Sequence, residues 1–240
     1  MKKIRFIWMV LLIPSLIMVS CKKDEENKVP IYKQPTAASR GDVVTIPDGL
    51  QARSDAGDIN SLIAVSYMGL ANAISNFSSN FIIPEGAQIQ GKKSGSTVYY
   101  WTYQGYSYWM TYTELADKYT WEYDWEVPGQ ARFTYISAEE LKTGKSGSWT
   151  IYNSESTSDF VWTYGWSINT SETFTANLVW NEGGTEESSF NVVSKADNSG
   201  SFKYYIATVL NAEILWNTDG SGTYTFFGEG GNQTGSWTAK

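Results

Sequence analysis

The sequence predicts a mainly β protein with one long α-helix, in which an antiparallel meander of about 10 to 12 strands forms a barrel or half-barrel packed on the helix. Three observations carry this prediction. Only one segment, between Ser54 and Pro84, repeats apolar residues at steps of three and four. From Thr97 to the end the apolar period is two, the pattern of strands with one buried face. Short turn signals separate those strands: Gln104-Gly105, Pro128-Gly129, Glu182-Gly183-Gly184, Asn198-Ser199-Gly200, Asp219-Gly220 and Glu229-Gly230-Gly231-Asn232.

In chain order, Lys2, Lys3 and Arg5 precede an uncharged, mostly apolar run from Phe6 to Val19, and small Ser20 precedes Cys21. This is the build of a cleavable secretory signal over residues 1–20. A helix of that run rises only about 21 Å, short of the ~30 Å hydrocarbon core of a bilayer. Leu16-Ile17-Met18-Val19-Ser20-Cys21 resembles a bacterial lipobox, with Met18 where Leu is usual. Lys22-Lys23-Asp24-Glu25-Glu26 resembles the export tag of surface lipoproteins of the Bacteroidota. The resemblance implies cleavage before Cys21, acylation of that cysteine, and a lipid-anchored outer-membrane protein exposed at the cell surface or, alternatively, on the periplasmic face. Without residues 1–20 the chain keeps 15 basic against 25 acidic residues, a net charge of −10. Scattered basic residues on so acidic a chain exclude nucleic acid as a partner.

Residues 21–53 carry Pro30, Pro35, Pro47, Gly41 and Gly49 among polar residues and read as a tether, with Val43-Val44-Thr45-Ile46 as a short docking strand. The domain is expected over 54–240. Its helix is expected over 55–81, capped by Ser54 or Asp55, with Ile59, Ile63, Tyr67, Leu70, Ile74, Phe77 and Phe81 as the core stripe. No charged residue stands between Asp58 and Glu85, which predicts a helix covered on more than one side.

The meander is expected over 97–240. Trp121, Tyr123, Trp125 and Val127 alternate with Glu122, Asp124 and Glu126, and Phe160 to Ile168, Phe174 to Trp180 and Phe202 to Leu210 alternate likewise. A weak repeat, Ser94-Gly95-Ser96, Ser146-Gly147-Ser148-Trp149, Ser199-Gly200-Ser201-Phe202 and Thr234-Gly235-Ser236-Trp237, keeps a β-trefoil open as the alternative. A two-residue turn at Gln104-Gly105 pairs Tyr103 with Tyr106, Trp101 with Tyr108 and Tyr99 with Met110 on one face. The aromatics of the next strand join that face if Met110 lies near Trp121, and a three-residue loop at Pro128 to Gln130 keeps Phe133 and Tyr135 there.

The same registers leave Tyr100 opposite Trp109 on the other face, beside Glu122, Asp124 and Glu126. Aromatics next to carboxylates can stack a sugar ring and accept its hydroxyl hydrogens; the plain alternative is a cross-strand pair and a solvated acidic row. These five residues are the ligand-binding candidates, and Cys21 is the lipidation site. With no His and one Cys among 240 residues, histidine-based triads and zinc sites are excluded. Alternate strand residues lie about 6.6 Å apart, too open for calcium, and Asn217 to Gly220 reads as a hairpin turn. No metal, cofactor or catalytic residue is expected. Partners are the membrane through the anchor, and a glycan, a surface protein or an apolar ligand. The apolar ligand belongs to a second reading, a lipid carrier whose cavity lies between the helix and Trp101, Trp121, Trp125, Trp162 and Trp166. A structural envelope protein with no ligand is a third.

Overall fold

The computed structural model describes residues 32–35, 43–75, 81–93, 95–153 and 156–239. The signal segment, Cys21, its export tag and Phe77 lie outside the described residues. Thirteen strands follow one another: β1 (Gln88–Lys93), β2 (Ser96–Tyr103), β3 (Tyr106–Glu114), β4 (Lys118–Glu126), β5 (Phe133–Leu141), β6 (Ser146–Asn153), β7 (Ser156–Ile168), β8 (Phe174–Glu182), β9 (Thr185–Ser194), β10 (Gly200–Ile206), β11 (Val209–Trp216), β12 (Gly222–Phe226) and β13 (Gln233–Trp237). Each pairs with its chain neighbours, so one antiparallel sheet runs in sequential order from β1 to β13. This open meander replaces the β-trefoil alternative.

The strand count exceeds the expected 10 to 12 for two local reasons. β1 precedes the expected start at Thr97 and has no apolar alternation; it is bulged between Ile89 and Gly91 and ends in two lysines, features that suit an edge strand. The run Phe202 to Leu210 is cut in two by a hairpin at Ala207 and Thr208, with φ of 43° and 70°. Neither Gly nor Asn marks that turn, so its alternation reads straight through.

The β2–β3 register is the one the turn at Gln104-Gly105 predicts: Tyr103↔Tyr106, Trp101↔Tyr108 and Tyr99↔Met110. β4 sits two residues from its expected place, with Tyr108↔Trp125, Met110↔Tyr123 and Tyr112↔Trp121. A shift of two leaves every side chain on its face, whereas a shift of one would turn the strand over. Between β4 and β5 a bulge sets Tyr123 opposite Ile136 and Asp124 opposite Thr134. Through it Phe133 and Tyr135 both stay against Trp125, ring centroids 5.8 and 5.7 Å away, while Ile136 and Ala138 take over the inner face beyond.

Three glycines of the Ser-Gly-Ser repeat, Gly147, Gly200 and Gly235, are packing positions, as is Gly222 outside it, whereas Gly95 is a turn residue at φ 75°. Gly147 faces Trp166, Gly200 faces Trp216, Gly222 faces Trp237 and Gly235 faces Tyr224 across neighbouring strands. A Cβ on Gly200 would stand 2.3 Å from Trp216, on Gly222 2.2 Å from Trp237, and on Gly235 2.2 Å from Tyr224. Each ring occupies the space that a Cβ on its glycine would fill, and these four glycines supply room rather than unusual dihedrals. Trp237 is fixed further by donating from Nε1 to the Gly220 carbonyl at 2.7 Å.

Two helices replace the single helix expected over 55–81. α1 spans Asp48–Asp55, and α2 spans Ile59–Ser75. The break falls at Ala56-Gly57, where Gly57 has φ 89°, and Asp58 caps α2 in place of Ser54 or Asp55, accepting the Ser61 N–H at 2.9 Å. That hydrogen bond, with the Arg53 guanidinium beside it, holds the Asp58 carboxyl below its ordinary pKa. Arg53 also donates to the Ser236 carbonyl, joining α1 to β13. Ahead of residue 54, Pro35 and Val44 are buried, and the Lys33 carbonyl accepts Trp121 Nε1–H at 2.9 Å.

α2 packs on the inner sheet face in an unexpected rotation. Tyr67 stacks on Phe202 and Tyr204 at 5.6 and 5.3 Å, and beyond the helix Phe81 meets Trp121 edge-on at 6.3 Å. Asn72 donates to the Val44 carbonyl and accepts the Val44 N–H, at 2.8 and 2.9 Å. The buried positions are Ser61, Ala64, Met68, Ala71, Asn72 and Ile74. Of the expected core stripe, Tyr67 packs on the sheet and Ile74 and Phe81 are buried, whereas Ile59, Ile63 and Leu70 are 70%, 38% and 43% exposed, and Leu62 is 52% exposed. The uncharged face is therefore open, not covered on more than one side.

Candidate functional site

The outer face of β1–β5 gathers the residues that the sequence singles out. The register sets Tyr100 opposite Trp109, Trp109 opposite Asp124, Thr111 opposite Glu122 and Ser107 opposite Glu126. Because strand side chains alternate, all five candidates lie on the face opposite Tyr99, Met110 and Trp121. The Tyr100 and Trp109 rings are 5.3 Å apart, tilted by 44°. Trp109 Nε1 donates to Gln90 Oε1 of β1 at 3.1 Å.

The three acidic residues are not equivalent. Asp124 is 8% exposed, and its Oδ2 accepts from Arg132 Nε at 2.9 Å and from a second guanidinium nitrogen of the same residue. Its Oδ1 is buried with no hydrogen-bond partner among the described residues. A buried carboxylate is costly unless paired, so Asp124 acts as the holder of Arg132. Held there, the guanidinium carbon lies 4.3 Å from the Trp109 ring centroid, a cation–π contact worth about 0.5–2 kcal/mol. Glu122 is exposed and Glu126 half-buried, and neither forms an ion pair among the described residues.

Arg132 and Gln90 are the members that the sequence reading missed. Arg132 is the only basic residue between Lys118 and Lys142, beside an acidic row, and that isolation is the signal for it. Gln90 lies on a strand with no sequence signature. A depression of about 290 Å³ adjoins the patch on β4–β6, lined on its outer side by Thr120, Glu122, Ser137, Glu139, Ser148 and Thr150. Glu122 belongs to both. A second, of about 160 Å³, is lined by Lys118, Glu139, Leu141, Ser146 and Ser148 among others.

Together these make a platform of two rings and a guanidinium beside a trough of hydroxyls and carboxylates. It can stack against an apolar ring face, and it can donate from the remaining Arg132 nitrogen and accept at Glu122 and Glu126. Among the described residues no group of three or more His, Cys, Asp or Glu side chains could hold a metal ion. The carboxyls with resolved shifts all move down: Asp58 as above, and Asp197 and Asp219 through hydrogen bonds from Ser199 and Ser221. Those two lie in hairpin turns, the second being the Asn217 to Gly220 segment, closed by Asn217 N–H to the Ser221 carbonyl at 2.8 Å. Tyrosines of the inner face move up because burial disfavours the phenolate, Tyr112 to about 12.

No known family model and no curated protein matches the chain.

Proposed function

We propose that this chain is a lipid-anchored, non-catalytic binding module of the outer membrane, similar to the surface lipoproteins of the Bacteroidota. Acylated Cys21 holds it at the cell surface, and it contacts a glycan through the outer-face platform. The meander is read as a half-barrel curled round α2. Tyr67 of α2 packs on β10 and Phe81 meets Trp121 of β4, strands six places apart in the sheet order.

The observation that carries the glycan reading is the continuity of the Tyr100–Trp109–Arg132 platform with the hydroxyl-lined trough through Glu122. Sugars present an apolar ring face and a rim of hydroxyls, and the two halves of this surface match those needs. Ring-on-ring contact between Tyr67 and β10 argues against a lipid cavity at the middle of the helix–sheet interface.

Glycan arrays and affinity gels with the unlipidated protein test this. Retention by at least one polysaccharide is expected, with its loss in both Tyr100→Ala and Trp109→Ala. No retention by any glycan, or equal retention of both variants, refutes the reading.

A further inference from the structure

We infer that the outward face of α2 is a membrane-contacting surface that lies on the lipid leaflet holding the anchor. The leaflet's proximity rests on the proposed acylation of Cys21; the face itself rests on geometry.

The helix is fixed in rotation. Asn72 holds both backbone groups of Val44, Tyr67 is stacked on two rings of the sheet, and Asp58 caps the first turn. In that rotation Ile59, Leu62, Ile63, Ser66, Leu70 and Ala73, at steps of one, three and four, form one exposed stripe. Ile82, 58% exposed, lies just beyond. Both faces of the helix are apolar: Ala64, Met68, Ala71 and Ile74 are buried, and four larger aliphatic side chains are left on the outside. The stripe therefore calls for an apolar cover.

Three observations select lipid as that cover. Residues 59–84 contain no charge, so laying the helix on a leaflet buries no ion. Eleven residues separate Cys21 from Lys33, a reach of at most ~38 Å. The Lys33 carbonyl is bonded to Trp121, whose ring meets Phe81, so the anchor's chain joins the body near the Ile82 end of the stripe. The helix face measures about 25 by 10 Å, roughly 250 Å², far below the ~800 Å² per partner of a stable dimer. A leaflet sets no such requirement, because the acyl chains supply the main anchorage.

The test uses the chain from residue 21 with Cys21→Ser and neutral phosphatidylcholine vesicles. The protein is expected to float with the vesicles equally at low and high salt. The variant Leu62→Ser/Ile63→Ser/Leu70→Ser is expected to partition about tenfold less, with an unchanged circular dichroism spectrum because the three side chains are exposed. Absence of flotation, or equal flotation of the variant, overturns the inference. So does a concentration-dependent dimer in sedimentation that the variant abolishes, since a second copy would then be the cover. Labelling of the full chain with tritiated palmitate, with and without Cys21→Ser, reports separately on the anchor: flotation without labelling removes the anchor and keeps the lipid face, and labelling without flotation does the reverse.

Discussion

Replacing Gly200 by Ala tests whether the aromatic rings rest on glycine. The new Cβ would stand 2.2 Å from the Val193 carbonyl oxygen and 2.3 and 2.7 Å from Cζ2 and Cε2 of Trp216. Ordinary contact needs 3.4 Å or more, so the ring or the strand must move by more than an ångström. Trp216 is 4% exposed and has little room to retreat, and the oxygen belongs to the β9–β10 ladder. Overpacking of this kind costs about 1–3 kcal/mol, and two clashes at once place Gly200→Ala at the upper end, about 3 kcal/mol. Urea denaturation followed by tryptophan fluorescence should show the midpoint falling by about 1 M. Gly165→Ala is the control, since its Cβ meets nothing within 4 Å; it should be neutral or up to about 1 kcal/mol stabilising, through the unfolded chain. Trp216→Leu in the Gly200→Ala background should recover part of the loss, because the two changes share one contact. Equal midpoints for Gly200→Ala and Gly165→Ala would refute the packing argument.

Two further changes probe the backbone and the cap. Thr208→Gly should raise stability by about 1 kcal/mol, because a β-branched residue sits there at φ 70° where glycine carries no penalty; a lower denaturation midpoint would contradict the turn geometry. Asp58→Ala should cost about 1 kcal/mol at neutral pH through loss of the α2 cap. The folded-state pKa of Asp58 lies below its unfolded value, so its contribution is complete above about pH 4 and is lost as pH falls through the folded value. Denaturation curves of wild type and Asp58→Ala should therefore converge in acid; a gap that stays constant down to the lowest pH would rule out the carboxylate as its source.

The sheet was legible because its signals are local. Period-two aromatics and glycine turns give both the meander and the β2–β3 register. What escaped carries no local mark. The Ala207-Thr208 hairpin lacks turn residues, β1 has no alternation, and a bulge adds one residue without altering the pattern on either side. The glycine repeat was visible, but its partners are rings 11 to 19 residues away on other strands, so it looked like a domain period. All five outer-face candidates lie together as the register requires, yet the position of Arg132 over Trp109 depends on an ion pair with Asp124 across the bulged β4–β5 hairpin. α2 misled most. Its composition implied a helix covered on several sides, and pattern rules assume that the apolar stripe turns toward protein; Asn72, Tyr67 and Asp58 set the rotation instead.

The rotation of α2 and its contact with lipid meet in one measurement. No cysteine follows Cys21, so in a Cys21→Ser chain a single Leu62→Cys carries an environment-sensitive NBD fluorophore at a unique site. Leu62 is 52% exposed and Ala64 0%; Leu62→Cys should label rapidly without denaturant and Ala64→Cys should not. On addition of neutral vesicles the fluorophore at position 62 should brighten, shift to the blue and be quenched by nitroxides in the acyl region. Equal labelling at 62 and 64 would contradict the rotation, and emission at 62 that vesicles leave unchanged would contradict the membrane-contacting face.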